Sequence, residues 1–172
     1  TTGATNQLYN TGLTTNVSSP IVTIASAYFS YGNRALVSIN KTTFTKDWEF
    51  TMSGANITDN PMYIASSTSA TNPRFFAGGV DGVYAVNDSG SQVWKLAVTS
   101  PITAVTYDTA VASRTYATTQ DGRVLGLKVS DGTQLWSTKV ASASVPVSRP
   151  EIYQDVLFVN ADKEVRALAG ED

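Results

Sequence analysis

A phrase that returns about every 43 residues, strand-like periodicity throughout, and two termini that read as halves of one unit predict an all-β chain. The expected fold is a small β-propeller of four four-stranded antiparallel blades. Its ring would be closed by an N-terminal strand that completes the last blade.

The phrase is clearest in DGRVLGLKVSDGTQLW, residues 121–136: a tight turn, a strand reaching Leu127, a second turn, and a strand carrying Trp136. DGVYAVNDSGSQVW repeats it with Val86 and Trp94, and GNRALVSINKTTFTKDW with Ile39 and Trp48. DKEVRALAGED reaches Leu168 and stops before any aromatic, whereas TTGATNQLYN at residues 1–10 reads like GTQLW, with Gln7-Leu8 matching Gln134-Leu135 and Tyr9 in the tryptophan position. The markers Ile39, Val86, Leu127 and Leu168 stand 47, 41 and 41 residues apart, and 43 residues carry Leu168 back to Ile39 when the ends are treated as neighbours. One domain, 1–172, is therefore expected, with repeats at approximately 13–50, 51–97, 98–140, and 141–172 plus 1–12.

Within each repeat the periodicity is that of strands. PIVTIAS, RFFAGG, ITAVTYD, RTYATT and VLFVNA are short, rich in β-branched and aromatic residues, and bounded by Gly, Pro, Asn or Asp. No window of 11 or more residues carries an apolar helical stripe. Asp-Gly between two such runs is a strong hairpin signal, because a type I′ turn needs φ > 0 at both central residues. Each repeat thus supplies strands A to D, and closing the ring hides two sheet edges. A β-sandwich also has turns at this frequency but leaves the recurring phrase and the matching ends unexplained.

On these residues, DGRVLGLKVSDGTQLW resembles the repeat of the PQQ-like β-propellers, with DGVYAVNDSGSQVW and DKEVRALAGED as departures from it and GNRALVSINKTTFTKDW as a weaker match. The resemblance implies that Trp48, Trp94 and Trp136 act as rivets between blades, with Tyr9 in the fourth position. It points to assembly-scaffold members rather than quinoprotein dehydrogenases, which resemble larger rings with a vicinal disulfide, a bound calcium and a catalytic acid. A chain of 172 residues without cysteine carries none of these.

Composition narrows the chemistry further. The net charge is −2 and only 15% of residues are charged, so nothing directs the chain to nucleic acid or an anionic membrane. With no Cys and no His, disulfides, thiolate chemistry and the commonest general base and metal ligand are gone. Serine and threonine abound, yet a serine nucleophile needs a base beside it. No apolar run approaches the ~20 residues of a membrane span. No catalytic residue, metal site or cofactor is expected.

The candidate binding features are structural in the first instance. Asn33-Arg34, Asp81-Gly82, Asp121-Gly122 and Asp162-Lys163 fall in equivalent B–C hairpins, where Asp and Asn suit the turn. B–C turns and D–A crossings share one face of a propeller, so Asn33, Arg34, Asp81, Asp121, Arg123, Asp162 and Arg166 form a candidate recognition rim, with a solvated rim as the plainer reading. NDSG at 87–90 and SDG at 130–132 lack the spacing of a calcium loop and read as turns. The D–A crossings LTTNVSSP, TMSGANITDNP, AVTSP and KVASASVPVSRP vary most, and variable loops on a repeated scaffold are where binding resides.

Asn16, Asn40, Asn56 and Asn87 stand in Asn-x-Ser/Thr sequons and are candidate glycosylation sites. The expected function is a non-enzymatic binding or structural module of a secreted or cell-surface assembly, a filament subunit being one form, with the periplasm as the other location. It would act through a protein partner or self-assembly. A glycan-binding propeller lectin and a half-ring of a larger PQQ-like propeller are the alternatives.

Overall fold

Strand-forming segments separated by turn-forming ones build four antiparallel sheets in chain order. The structure, a computed structural model, describes residues 9–12, 14, 16–32, 34–53, 64–67, 74–111, 113–142 and 147–170. Blade 1 holds β1 (Ile21–Val22), β2 (Ser26–Tyr31), β3 (Ala35–Asn40) and β4 (Lys46–Thr51). Blade 2 holds β5 (Ile64–Ser66), β6 (Arg74–Gly78), β7 (Gly82–Asn87) and β8 (Gln92–Ala97). Blade 3 holds β9 (Ile102–Tyr107), β10 (Arg114–Thr119), β11 (Arg123–Lys128) and β12 (Gln134–Lys139), and blade 4 holds β13 (Glu151–Tyr153), β14 (Val156–Ala161) and β15 (Glu164–Ala169).

Each sheet is a simple meander, and each of the first three has the expected four strands. The fourth differs from expectation in having three described strands, so β15 is an edge among the described residues. Of the residues 1–12 expected to complete it, 1–8 lie outside the described residues and 9–12 form no strand. No helix occurs among the described residues.

Alternation along each central strand sends one set of side chains toward the preceding blade and the other toward the next. Leu36 of blade 1 meets Phe75, Ala77, Tyr84 and Val86 of blade 2 in one apolar cluster. Val83 and Ala85 of blade 2 meet Val105, Ala117, Leu125 and Leu127 of blade 3 in a second. Tyr116 and Val124 of blade 3 meet Leu157, Val159 and Ala161 of blade 4 in a third. The two-sided burial of β7 and β11 follows, and explains why these strands read as near-continuous apolar runs.

The tryptophans lock this stacking. Trp48 Nε1 donates to Asp88 O at 2.8 Å and Trp94 Nε1 to Val129 O at 2.8 Å, each acceptor lying in the C–D turn of the next blade. Gly90 and Gly132, with φ of 80° and 75°, sit beneath those indoles. A Cβ on Gly132 would lie 2.5 Å from the Trp94 ring, so the glycine answers both the turn and the ring. Trp136 packs with the blade 4 cluster, and its Nε1 is buried without a partner among the described residues. Tyr9 packs on blade 1, its ring 5.8 Å from Phe29 in a cluster that includes Phe44. Phe44 stands four residues before Trp48, as Gly90 and Gly132 stand before Trp94 and Trp136, and holds the same left-handed conformation at φ 58°.

All four blades contribute to a central cavity of about 320 Å³, lined among others by Ser19, Ser66, Thr109 and Arg149. This placement around one axis is that of a propeller.

Candidate functional site

The face that carries the B–C turns is built by one device used repeatedly. After each of the first three outer strands the chain sends an amide to the next-door turn: Met52 N to Arg34 O, Val98 N to Asp81 O, and Val140 N to Gly122 O. These bonds tie the start of every described D–A crossing to its own blade's B–C turn. They also show that Asp81 occupies the position of Arg34 and Gly122, one residue out of step with Asp121.

A serine then reaches the following blade. Ser53 Oγ approaches Asp81 Oδ2 at 3.4 Å, Ser100 Oγ accepts from Asp121 N at 3.0 Å, and Ser142 Oγ donates to Asp162 Oδ1 at 3.0 Å. The turn aspartates are thus held by partners that sequence reasoning did not single out. Their signal was present in TMS, VTS and VAS, a serine one or two residues beyond Met52, Val98 and Val140.

The densest network surrounds Asp81. Tyr84 Oη donates to Asp81 Oδ1 at 2.7 Å, and Lys95 Nζ donates to Asp81 Oδ2 at 2.6 Å and to Ser53 Oγ at 3.0 Å. The Lys95 ammonium also stands 5.0 Å from the Tyr84 ring centroid. Burial by itself would raise the Asp81 carboxyl, but the bonds from Lys95 and Tyr84 outweigh it and hold the group below its ordinary range. Burial pushes the Tyr84 hydroxyl up, and its bond to Asp81 acts the same way.

Because the folded-state pKa of Asp81 is depressed, the stability it contributes is present above the unfolded value of 3.8 and is lost as pH falls through the folded value. Unfolding midpoints measured from about pH 5 to about pH 2 should therefore fall less steeply in Asp81→Asn than in the unaltered chain. Parallel curves would count against the network.

Blade 3 carries a looser version. Thr119 Oγ1 donates to Asp121 Oδ1 at 2.6 Å, which lowers the carboxyl's pKa, and Arg123 Nε pairs with Asp121 Oδ2 at 3.3 Å. Arg123 and Asp121, with Ser100, Gln134 and Ser137, line a groove of about 390 Å³ between blades 2 and 3. The arginines do not form one ring. Arg34 sits at its turn, Arg123 is held by Asp121, and Arg166 lies within β15 opposite Val159, paired with Glu164 at 3.0 Å. By register Arg166 takes the position of Tyr84 and Leu125, so the sequence offset that grouped it with Arg123 reflected chain distance and not height on the blade. Asn33 lies outside the described residues.

The sequons fall at different kinds of place. Asn16 is exposed ahead of β1. Asn40 and Asn87 close their strands, with Asn40 Oδ1 accepting from Thr42 N at 2.8 Å and Asn87 Oδ1 from Ser91 N at 2.8 Å. Asn56 lies outside the described residues. No group of three or more acidic side chains suited to a metal occurs among the described residues, and no helix there is long and apolar enough to cross a membrane.

Comparison with solved structures agrees with this architecture. The computationally designed Ika4 protein is similar over 92% of this chain and 94% of its own, at 12% identity and a TM-score of 0.70. BamB from Moraxella catarrhalis is similar over 86% of this chain and 41% of its own, at 16% identity and a TM-score of 0.61. Hsv2 from Kluyvelomyces marxianus covers 93% of this chain and 51% of its own, at 14% identity and a TM-score of 0.65. The chain thus spans about half the length of the last two or less, and at these identities the likeness establishes the fold. No curated protein sequence matches the chain. The family described as outer membrane protein assembly factor BamB matches residues 79–172, the stretch that holds the last two strands of blade 2 and all described strands of blades 3 and 4. The chain belongs to this family of PQQ-like repeat β-propellers.

Proposed function

We propose that the protein is a non-enzymatic protein-interaction module of a secreted, periplasmic or cell-surface assembly, whose partner docks on the face formed by the B–C turns and D–A crossings. The observation that carries this reading is the serine-to-turn pairing at Asp81, Asp121 and Asp162, which anchors three crossings of unlike sequence on one rigid face. A scaffold that fixes loop ends while their sequences diverge is suited to recognition by loops. The family description, an outer-membrane assembly factor, supports a role among protein partners.

The test attaches a bulky thiol-reactive label to single cysteines introduced at Thr99, on this face, or at Thr43, in a C–D turn on the other. A partner that co-purifies with the unaltered chain should be lost with the Thr99 label and kept with the Thr43 label. Retention with both labels, or loss with both, overturns the reading.

The same proposal includes ring closure by the N-terminal segment. Tyr9 packs on the same blade 1 cluster as Phe44, its ring 5.8 Å from Phe29, much as Trp94 packs against blade 3, which supports residues 1–12 as the completion of blade 4. Removing residues 1–12 should then broaden thermal unfolding and lower its midpoint. An unchanged melting curve removes closure from the account.

A further inference from the structure

The central cavity holds a charged group that forms none of the described ion pairs. Arg149 stands just ahead of β13 and lines the cavity of about 320 Å³ together with side chains from the inner edges of the other three blades. Its Nε donates to Thr106 Oγ1 of blade 3 at 3.0 Å, and Thr106 is itself 5% exposed, so one edge of the guanidinium is fixed to a buried anchor. The described ion pairs all lie elsewhere, and none involves Arg149. The described lining contains no carboxylate, and Glu151, two residues along the chain, is not part of it.

We propose that Arg149 makes this cavity a binding site for a small hydroxylated carboxylate, an organic acid or sugar acid. A guanidinium presents five donors in a planar fork, and anchoring Nε leaves both Nη groups to meet a carboxylate edge-on. The ligand class follows from charge balance: one cation matches one carboxylate, whereas a phosphate dianion would leave net negative charge in a cavity with a single positive group. Ser19, Ser66 and Thr109 also line the cavity, and their hydroxyl chemistry suits the hydroxyls of such an acid. The volume falls at the lower end of the ~300–1,000 Å³ typical of ligand pockets, a fit for a ligand of sugar size. Arg149 is solvent-exposed, so the ligand has a route to it.

The full chain is titrated with sodium glucuronate and sodium lactate at low ionic strength, with glucose and inorganic phosphate as controls, and followed by calorimetry and by NMR of the Arg149 Nε–Hε resonance. At least one carboxylate should bind saturably and shift that resonance, glucose should not bind, and phosphate should bind more weakly. Arg149→Gln should lower the affinity about tenfold or more, and Arg149→Lys should retain part of it. Equal binding by Arg149→Gln, phosphate binding as tight as the carboxylates, or no saturable binding of either acid overturns the proposal. A static Arg149 resonance in the unaltered protein does so as well, independently of whether the variants fold.

Discussion

Trp94→Ala is expected to lower stability by about 3–5 kcal/mol, the usual cost of emptying a buried aromatic site. The indole is 7% exposed and packs within the blade 2–blade 3 cluster, with the Phe76 ring 5.8 Å away. It also holds the neighbouring blade through Val129 O, so truncation removes a packing contact and a cross-blade hydrogen bond together. For a domain of this size each kcal/mol moves the melting midpoint by about 2–4 °C, so a fall on the order of 10 °C should appear in a thermal scan. A shift of a degree or two would show that blades 2 and 3 are held by something other than this contact.

Gly132→Ala should cost about 2–4 kcal/mol, from two sources that can be separated. At φ 75° an L side chain is strained by about 1 kcal/mol, and the new Cβ at 2.5 Å from the Trp94 ring forces a shift worth about 1–3 kcal/mol more. Since the second source needs the indole, the double variant Trp94→Ala/Gly132→Ala should lose clearly less than the sum of the two, as denaturant midpoints would reveal. Strict additivity would mean that the glycine is required for its turn alone.

The same contact shows how the repeat could be read from the sequence and where that reading stopped. A Gly four residues before a Trp is a local pattern with a local cause, a left-handed turn followed by an outward strand, and it recurs at Gly90/Trp94 and Gly132/Trp136. At Phe44 the pattern breaks in letters and holds in geometry, since Phe44 keeps a left-handed φ of 58° at the same distance before Trp48. Sequence alone marks Phe44 as an ordinary apolar residue.

The rim was partly legible. Asp81, Asp121 and Asp162 were recognised as turn residues because turn chemistry is local. Their serine partners stand 28, 21 and 20 residues away, and only the stacking of one blade on the next brings those chains within hydrogen-bond reach. Arg166 stands apart for a related reason: it follows its turn aspartate by four residues where Arg123 follows by two, and strand register sets the two at different heights.

Period, strand character and turn positions were determined by the sequence itself, since each depends on neighbours within a few residues: φ > 0 at Gly132, apolar runs on two-sided strands, and an aromatic after every completed turn. Which serine meets which aspartate, and that Arg149 faces a cavity bounded by four blades, was decided by the tertiary structure alone. Those relations are distances between segments far apart in the chain, and they exist only once burial of the blade faces has fixed how the sheets stack around one axis.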